Sequence, residues 1–164
     1  PKILVGYYPA YKLNLTPGVD FDISPSIDYL NFIAFGPNDL VNNGRNNTPG
    51  GDPLAVFNRQ SSKLSQLKDY KSRNNLTFKI ILSVLLPTDW NNLTGFFNLN
   101  NRGYRYDPSS RQNSKFVNDL VSIVNTGTNG FDGIDIDYPF KLPCTTSAFD
   151  SDFSSFLNAI SAQL

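Results

Sequence analysis

Three aspartates fall within six residues in the segment Phe131-Asp132-Gly133-Ile134-Asp135-Ile136-Asp137-Tyr138-Pro139. Asp135, Ile136 and Asp137 alternate polar and apolar with period two, which reads as a β-strand. On a strand, Asp135 and Asp137 point to one face and Ile134 and Ile136 to the other. Two carboxylates side by side cannot both ionise cheaply unless a cation lies between them or they share a proton. Packing seldom needs that arrangement, so the cluster is read as a site; a hydrogen-bonded structural network at a strand end is the plainer alternative. A calcium loop fits poorly, because isoleucines interleave the acids and no bidentate glutamate closes the run. The chain has no histidine and one cysteine, too few for a zinc set. No metal and no cofactor is expected.

The elements around the cluster follow from hydropathy. Strands are expected at Lys2–Tyr8, Asp28–Gly36 and Thr77–Leu86, each a near-continuous apolar run, and at the alternating Phe131–Tyr138. Helices are expected at Ser61–Arg73, with Leu64, Leu67 and Tyr70 on one face, at Ser114–Val124, and at Ser147–Leu164. The pair Asn129-Gly130 is read as the end of the second helix. No clear helix follows the first strand. Long polar loops are expected at Pro37–Pro53 and Asn91–Pro108. The alternation predicts an α/β fold with a parallel sheet covered by helices. Reactive residues gather at the carboxyl ends of such strands, which is where the aspartates lie.

Composition narrows the partners. The chain has 164 residues, enough for one domain with a real core. Formal net charge is zero, so no basic excess exists to hold a phosphate backbone, and nucleic acid is not expected as a partner. No run of 18 apolar residues offers a membrane span. Only 17% of residues are charged, while Phe and Tyr number 13 and 8. A surface of amides, hydroxyls and aromatic rings suits a neutral, hydroxylated ligand. The chain begins with Pro1, which reads as a processed or excerpted piece. Four Asn-x-Ser/Thr sequons start at Asn14, Asn46, Asn75 and Asn92, although roughly three are expected by chance.

With these residues in view, Asp132-Gly133-Ile134-Asp135-Ile136-Asp137-Tyr138 resembles the signature of the family 18 glycoside hydrolases, the chitinases and their relatives. That signature runs D-G-x-D-x-D-x-E at the end of the fourth barrel strand. Val5-Gly6-Tyr7-Tyr8, Asn31-Phe32-Ile33-Ala34-Phe35 and Lys79-Ile80-Ile81-Leu82-Ser83 are similar, in order, to the family's first three strands. The resemblance implies one chitinase-like domain over 1–164, with parallel β/α units like the first half of a (β/α)8 TIM barrel, truncated after the fourth unit. It also implies a secreted, glycosylated protein whose partner is chitin or a chito-oligosaccharide.

The resemblance implies roles as well. In the family the glutamate closing the signature protonates the glycosidic oxygen, and the aspartate two places before it orients the substrate's acetamido group. Asp137 falls on that orienting aspartate. Asp135 falls on the one that shares a proton with it, and Asp132 on a structural support. The acid falls on Pro139, which has no ionisable group. Val84-Leu85-Leu86 stands where the family usually has glycines. Tyr7, Phe35, Trp90 and Tyr138 are the candidates for stacking on sugar rings, with core filling as the plainer reading.

The expectation is therefore a glycan-binding chitinase-like domain without hydrolase activity. Two alternatives stay open. One is an active chitinase fragment using another carboxylate, with Asp150 and Asp152 the nearest. The other is a scaffold recruited for protein contact. Half a barrel would leave two sheet edges unpaired, which points to a missing second half or a homodimer. Cys144 reads as an inert thiol or as a partner for another chain.

Overall fold

A computed structural model describes residues 2–36, 39–40, 53–86, 115–127, 130–137 and 147–164. Four strands form one all-parallel sheet in the order β1-β2-β3-β4. They are β1 (Val5–Tyr8), β2 (Tyr29–Ile33), β3 (Lys79–Leu85) and β4 (Gly133–Asp137). Helix α1 (Pro53–Asn58) and helix α2 (Ser61–Arg73) join β2 to β3, α3 (Lys115–Val124) precedes β4, and α4 (Ser147–Ser161) follows it. Sequential parallel strands joined by right-handed crossovers place every crossover on the same side of the sheet.

The burial pattern agrees with that one-sided layering. Leu30, Phe32, Ile80, Leu82 and Val84 point to the helix side and join Leu64, Leu67, Phe116, Leu120 and Phe156 in the core, with Ile134 and Ile136 packed against it. Residues of opposite parity behave otherwise. Val5 and Tyr7 remain 42% and 64% exposed. So one face is a helix-covered core, and the other, the open face, runs from exposed at Val5 and Tyr7 to buried at Asn31 and Ser83. The register pairs Tyr7 with Asn31, Asn31 with Ile81, Ser83 with Asp135, and Leu85 with Asp137. These residues therefore share the open face.

The element boundaries have local causes. Proline opens α1 at the first helical position, where its missing N–H costs nothing. Sequence periodicity misses this helix, because six residues are too few to show a repeat and Pro53 reads equally well as a loop end. α2 ends in a Schellman motif: Asn75 takes φ 52°, its N–H reaches Ser72 O, and Leu76 N–H reaches Lys71 O. α3 stops at Val124, with Gly127 left-handed at φ 48° and Phe131 N–H bonded back to Val124 O, ahead of the expected Asn129-Gly130 stop. Strand β1 is shorter than the expected Lys2–Tyr8, yet Leu4 O still accepts from Asp28 N–H and Tyr29 N–H. β2 ends before Gly36, whose N–H turns to Asp39 Oδ2 at 2.7 Å. No helix forms between β1 and β2 among the described residues; three turns and a bridge between Pro17 and Phe21 fill that connection.

Candidate functional site

The site is built on the open face of the sheet, at the carboxyl end of β4. Asp135 lies beside Ser83 in the β3–β4 register. Ser83 Oγ donates to Asp135 Oδ2 at 2.9 Å. Asn31 Nδ2, from β2, donates to the same oxygen at 3.0 Å. Both donors are buried, and they are buried polar residues in otherwise apolar strands. With two donors on Oδ2, Oδ1 remains as the acceptor for anything else that approaches.

The Asn31–Asp135 bond also reports on shape. Neighbouring strands lie about 4.8 Å apart, so residues two strands apart sit about 10 Å apart on a flat sheet. Two short side chains would not meet over that span. Their contact across β3 fits an open face that curves inward. Gly133 lines the same hollow: a Cβ there would lie 3.4 Å from Ile81 Cδ1.

Asp137 ends β4 on this face and is exposed to solvent. Although the residue is exposed as a whole, partial desolvation of its carboxyl, and then the charge of nearby Asp135, raise its pKa from the ordinary value. That places a carboxyl whose pKa is raised beside an acceptor anchored by two donors. A protonated Asp137 can donate to a carbonyl or hydroxyl oxygen; Asp135 can accept.

The other expected residues separate. Asp132 serves the sheet: its Oδ2 accepts from Ile80 N–H at 2.8 Å, and its N–H reaches Ile80 O, which ties the start of β4 to β3. Tyr7 presents a ring on the open face next to Asn31. Phe35 is fully buried in the core, which gives its ring to packing and leaves no face for a ligand. Its position just past β2, inside the fold, is what the apolar run could not distinguish from a strand-end exposure. Trp90, Tyr138, Pro139 and Cys144 lie outside the described residues. Among the described residues, no group of three His, Cys, Asp or Glu side chains is placed to hold a metal ion.

Sequence reading misses Asn31 and Ser83. Their signal is a single polar residue inside each apolar strand. Only the register shows that both address one carboxylate.

A second hollow, of about 660 Å3, lies at the opposite end of the sheet among Lys68, Lys71, Asn75 and Asp132. Its cations have structural uses: Lys68 Nζ donates to Gly130 O, and Lys71 lies 5.4 Å from the Phe78 ring centre. No protein-family model matches the chain, and no curated protein matches it.

Proposed function

We propose that this chain is a chitinase-like domain, built as the first half of a (β/α)8 barrel, which binds polymers of N-acetylglucosamine or related glycans without cleaving them. The single observation that carries the reading is that Asn31 and Ser83, from two other strands, anchor Asp135 on the same face of the sheet as Asp137. An acetamido group offers both a carbonyl oxygen and an N–H, the two partners such a pair can satisfy. The exposed Tyr7 ring adjoins the polar cluster, and aromatic faces pack against the C–H faces of sugars.

The topology supports the half-barrel part of the reading. A four-stranded parallel sheet in sequential order, with helices packed on one face, is the arrangement that successive units of such a barrel would have.

Absence of cleavage rests on Pro139. Proline stands where the resembled signature has its proton donor, and a positioned acid contributes about 10²–10⁴ in rate. All fourteen acidic residues of the chain are aspartates, so no glutamate elsewhere takes the role.

Retention on chitin beads tests the proposal. The wild-type chain is expected to be held and released by soluble chito-oligosaccharide, while Asp137→Asn is expected to pass through. Equal behaviour of the two proteins, bound or unbound, would remove the basis for the reading.

A further inference from the structure

Two sequons fall among the described residues, Asn14-Leu15-Thr16 and Asn75-Leu76-Thr77, and the fold sets them in different surroundings. Those that start at Asn46 and Asn92 lie outside the described residues. Chance can write a sequon, but a glycosyl transferase reads only its chemistry. The local setting, and not the count, therefore decides its use.

Asn75 closes α2. Its φ of 52° is left-handed, a conformation that asparagine adopts more readily than most residues. The chain then runs into β3, and along that run exposure alternates. Asn75 and Thr77 are exposed, Leu76 is half-buried against the core, and Phe78 is buried. The amide and the hydroxyl that a sequon needs thus stand together on the solvent side of an inward-facing leucine. Asn75 also borders the polar hollow of about 660 Å3, beside Lys71 and Ser72, so a sugar attached there has open ground to lie on.

Asn14 differs. It is exposed, but its threonine is half-buried and held in a turn. Thr16 N–H donates to Asp20 Oδ2 at 2.7 Å, and Thr16 O accepts from the N–H groups of Val19 and Asp20. Pro17, directly after it, is buried. Lys63 Nζ donates to Ala10 O and Leu13 O, which ties the same loop down to α2.

We infer that Asn75 is an acceptor for an N-linked glycan and that Asn14 is not. In the transfer, Asn75 Nδ2 attacks the anomeric carbon of an oligosaccharide carried on a lipid diphosphate. The C–N bond forms, the C–O bond to the diphosphate breaks, and Nδ2 gives up one proton. The donor and its transferase belong to a secretory pathway, so the test supplies one.

The position spares the candidate site. Asn75 precedes the amino end of β3, whose seven residues span about 20 Å. Asp137 lies at the carboxyl end of the parallel sheet, level with Leu85. The inference goes beyond the proposed ligand and does not depend on it.

Secretion of the 1–164 chain from a eukaryotic host, behind a cleavable leader, tests it. Peptide-N-glycosidase turns each occupied asparagine into aspartate, and a peptide mass map then reads every sequon separately. Asn75 is expected to be converted and Asn14 to be unchanged. Thr77→Ala leaves asparagine at the left-handed position and is expected to lose one glycan by gel mobility. Asn75→Gln is expected to lose the same one, and Thr16→Ala to lose none. An unconverted Asn75 overturns the inference, as does a converted Asn14 or a Thr77→Ala chain with its full number of glycans. Chitin retention reports separately on the sugar-binding reading.

Discussion

Ser83 Oγ and Asp135 Oδ2 lie 2.9 Å apart across a register pair of β3 and β4, and Asn31 brings a second donor to the same oxygen from β2. Three strands are thereby tied through one carboxylate on the open face. A half-buried acceptor with two donors is an energetic unit, and truncating any member leaves the others short of a partner.

Ser83→Ala is expected to lower unfolding free energy by about 1–2 kcal/mol, and Asn31→Ala by a similar amount. In a Ser83→Ala/Asp135→Asn double-mutant cycle the coupling is expected at about 0.5–2 kcal/mol. Denaturant titration gives the numbers; additive effects would mean that the hydrogen bond contributes nothing in solution.

Stability should carry the imprint of Asp137. Its carboxyl is pushed up by burial and by Asp135, so the folded chain holds this proton to higher pH than the unfolded chain does. More protons are then bound in the native state, and stability falls as pH rises. The cost is absent below the unfolded carboxylate value, develops through the raised folded value, and is constant above it. Asp137→Asn removes it. Melting temperatures taken from about pH 3.5 to about pH 7 should show the wild type losing ground to Asp137→Asn, and a constant or opposite difference would contradict the geometry.

The connection between β1 and β2 is clamped by α2. Gly18 adopts φ 79°, and a Cβ there would come within 2.9 Å of the Tyr70 ring. Tyr70 Oη in turn accepts from Ile23 N–H and donates to Asp22 Oδ1. Gly18→Ala meets both the left-handed strain and the ring, and is expected to cost about 2–4 kcal/mol. Tyr70→Phe keeps the ring but loses both bonds, and is expected to cost about 1–2 kcal/mol by thermal or chemical unfolding.

Pro139→Glu puts a carboxylic acid at the place the resembled signature gives it. With Asp135 and Asp137 in place, release of a fluorophore from a chitotriose analogue is expected to rise about 10²–10⁴-fold over the wild-type chain. Wild-type release already at that raised level would show that another group supplies the proton.

Particular elements show how far sequence carries. The Phe131–Tyr138 run predicts a strand because aspartate and isoleucine alternate, and the structure has β4 at Gly133–Asp137 with the isoleucines against the core. Helix α2 matches its expected Ser61–Arg73 span, since a three-residue apolar step over thirteen residues admits no other regular structure. Strand ends run shorter than expected, because apolar residues continue into the core beyond the last ladder bond, as Ala34 and Phe35 do. Phe35 illustrates the limit: composition marks it as aromatic, and only packing assigns the ring to the interior.

What the amino-acid order determined alone was periodicity: four apolar strands, the main helices, and the side of β4 on which the acids stand. Those are local properties, set by the two-residue repeat of a strand and the 3.6-residue repeat of a helix. What only the tertiary structure decided was which residues from distant strands meet. Asn31 and Asp135 are 104 positions apart and bond because parallel register and sheet curvature bring them together. Register is a property of paired strands, and no single strand's pattern contains it.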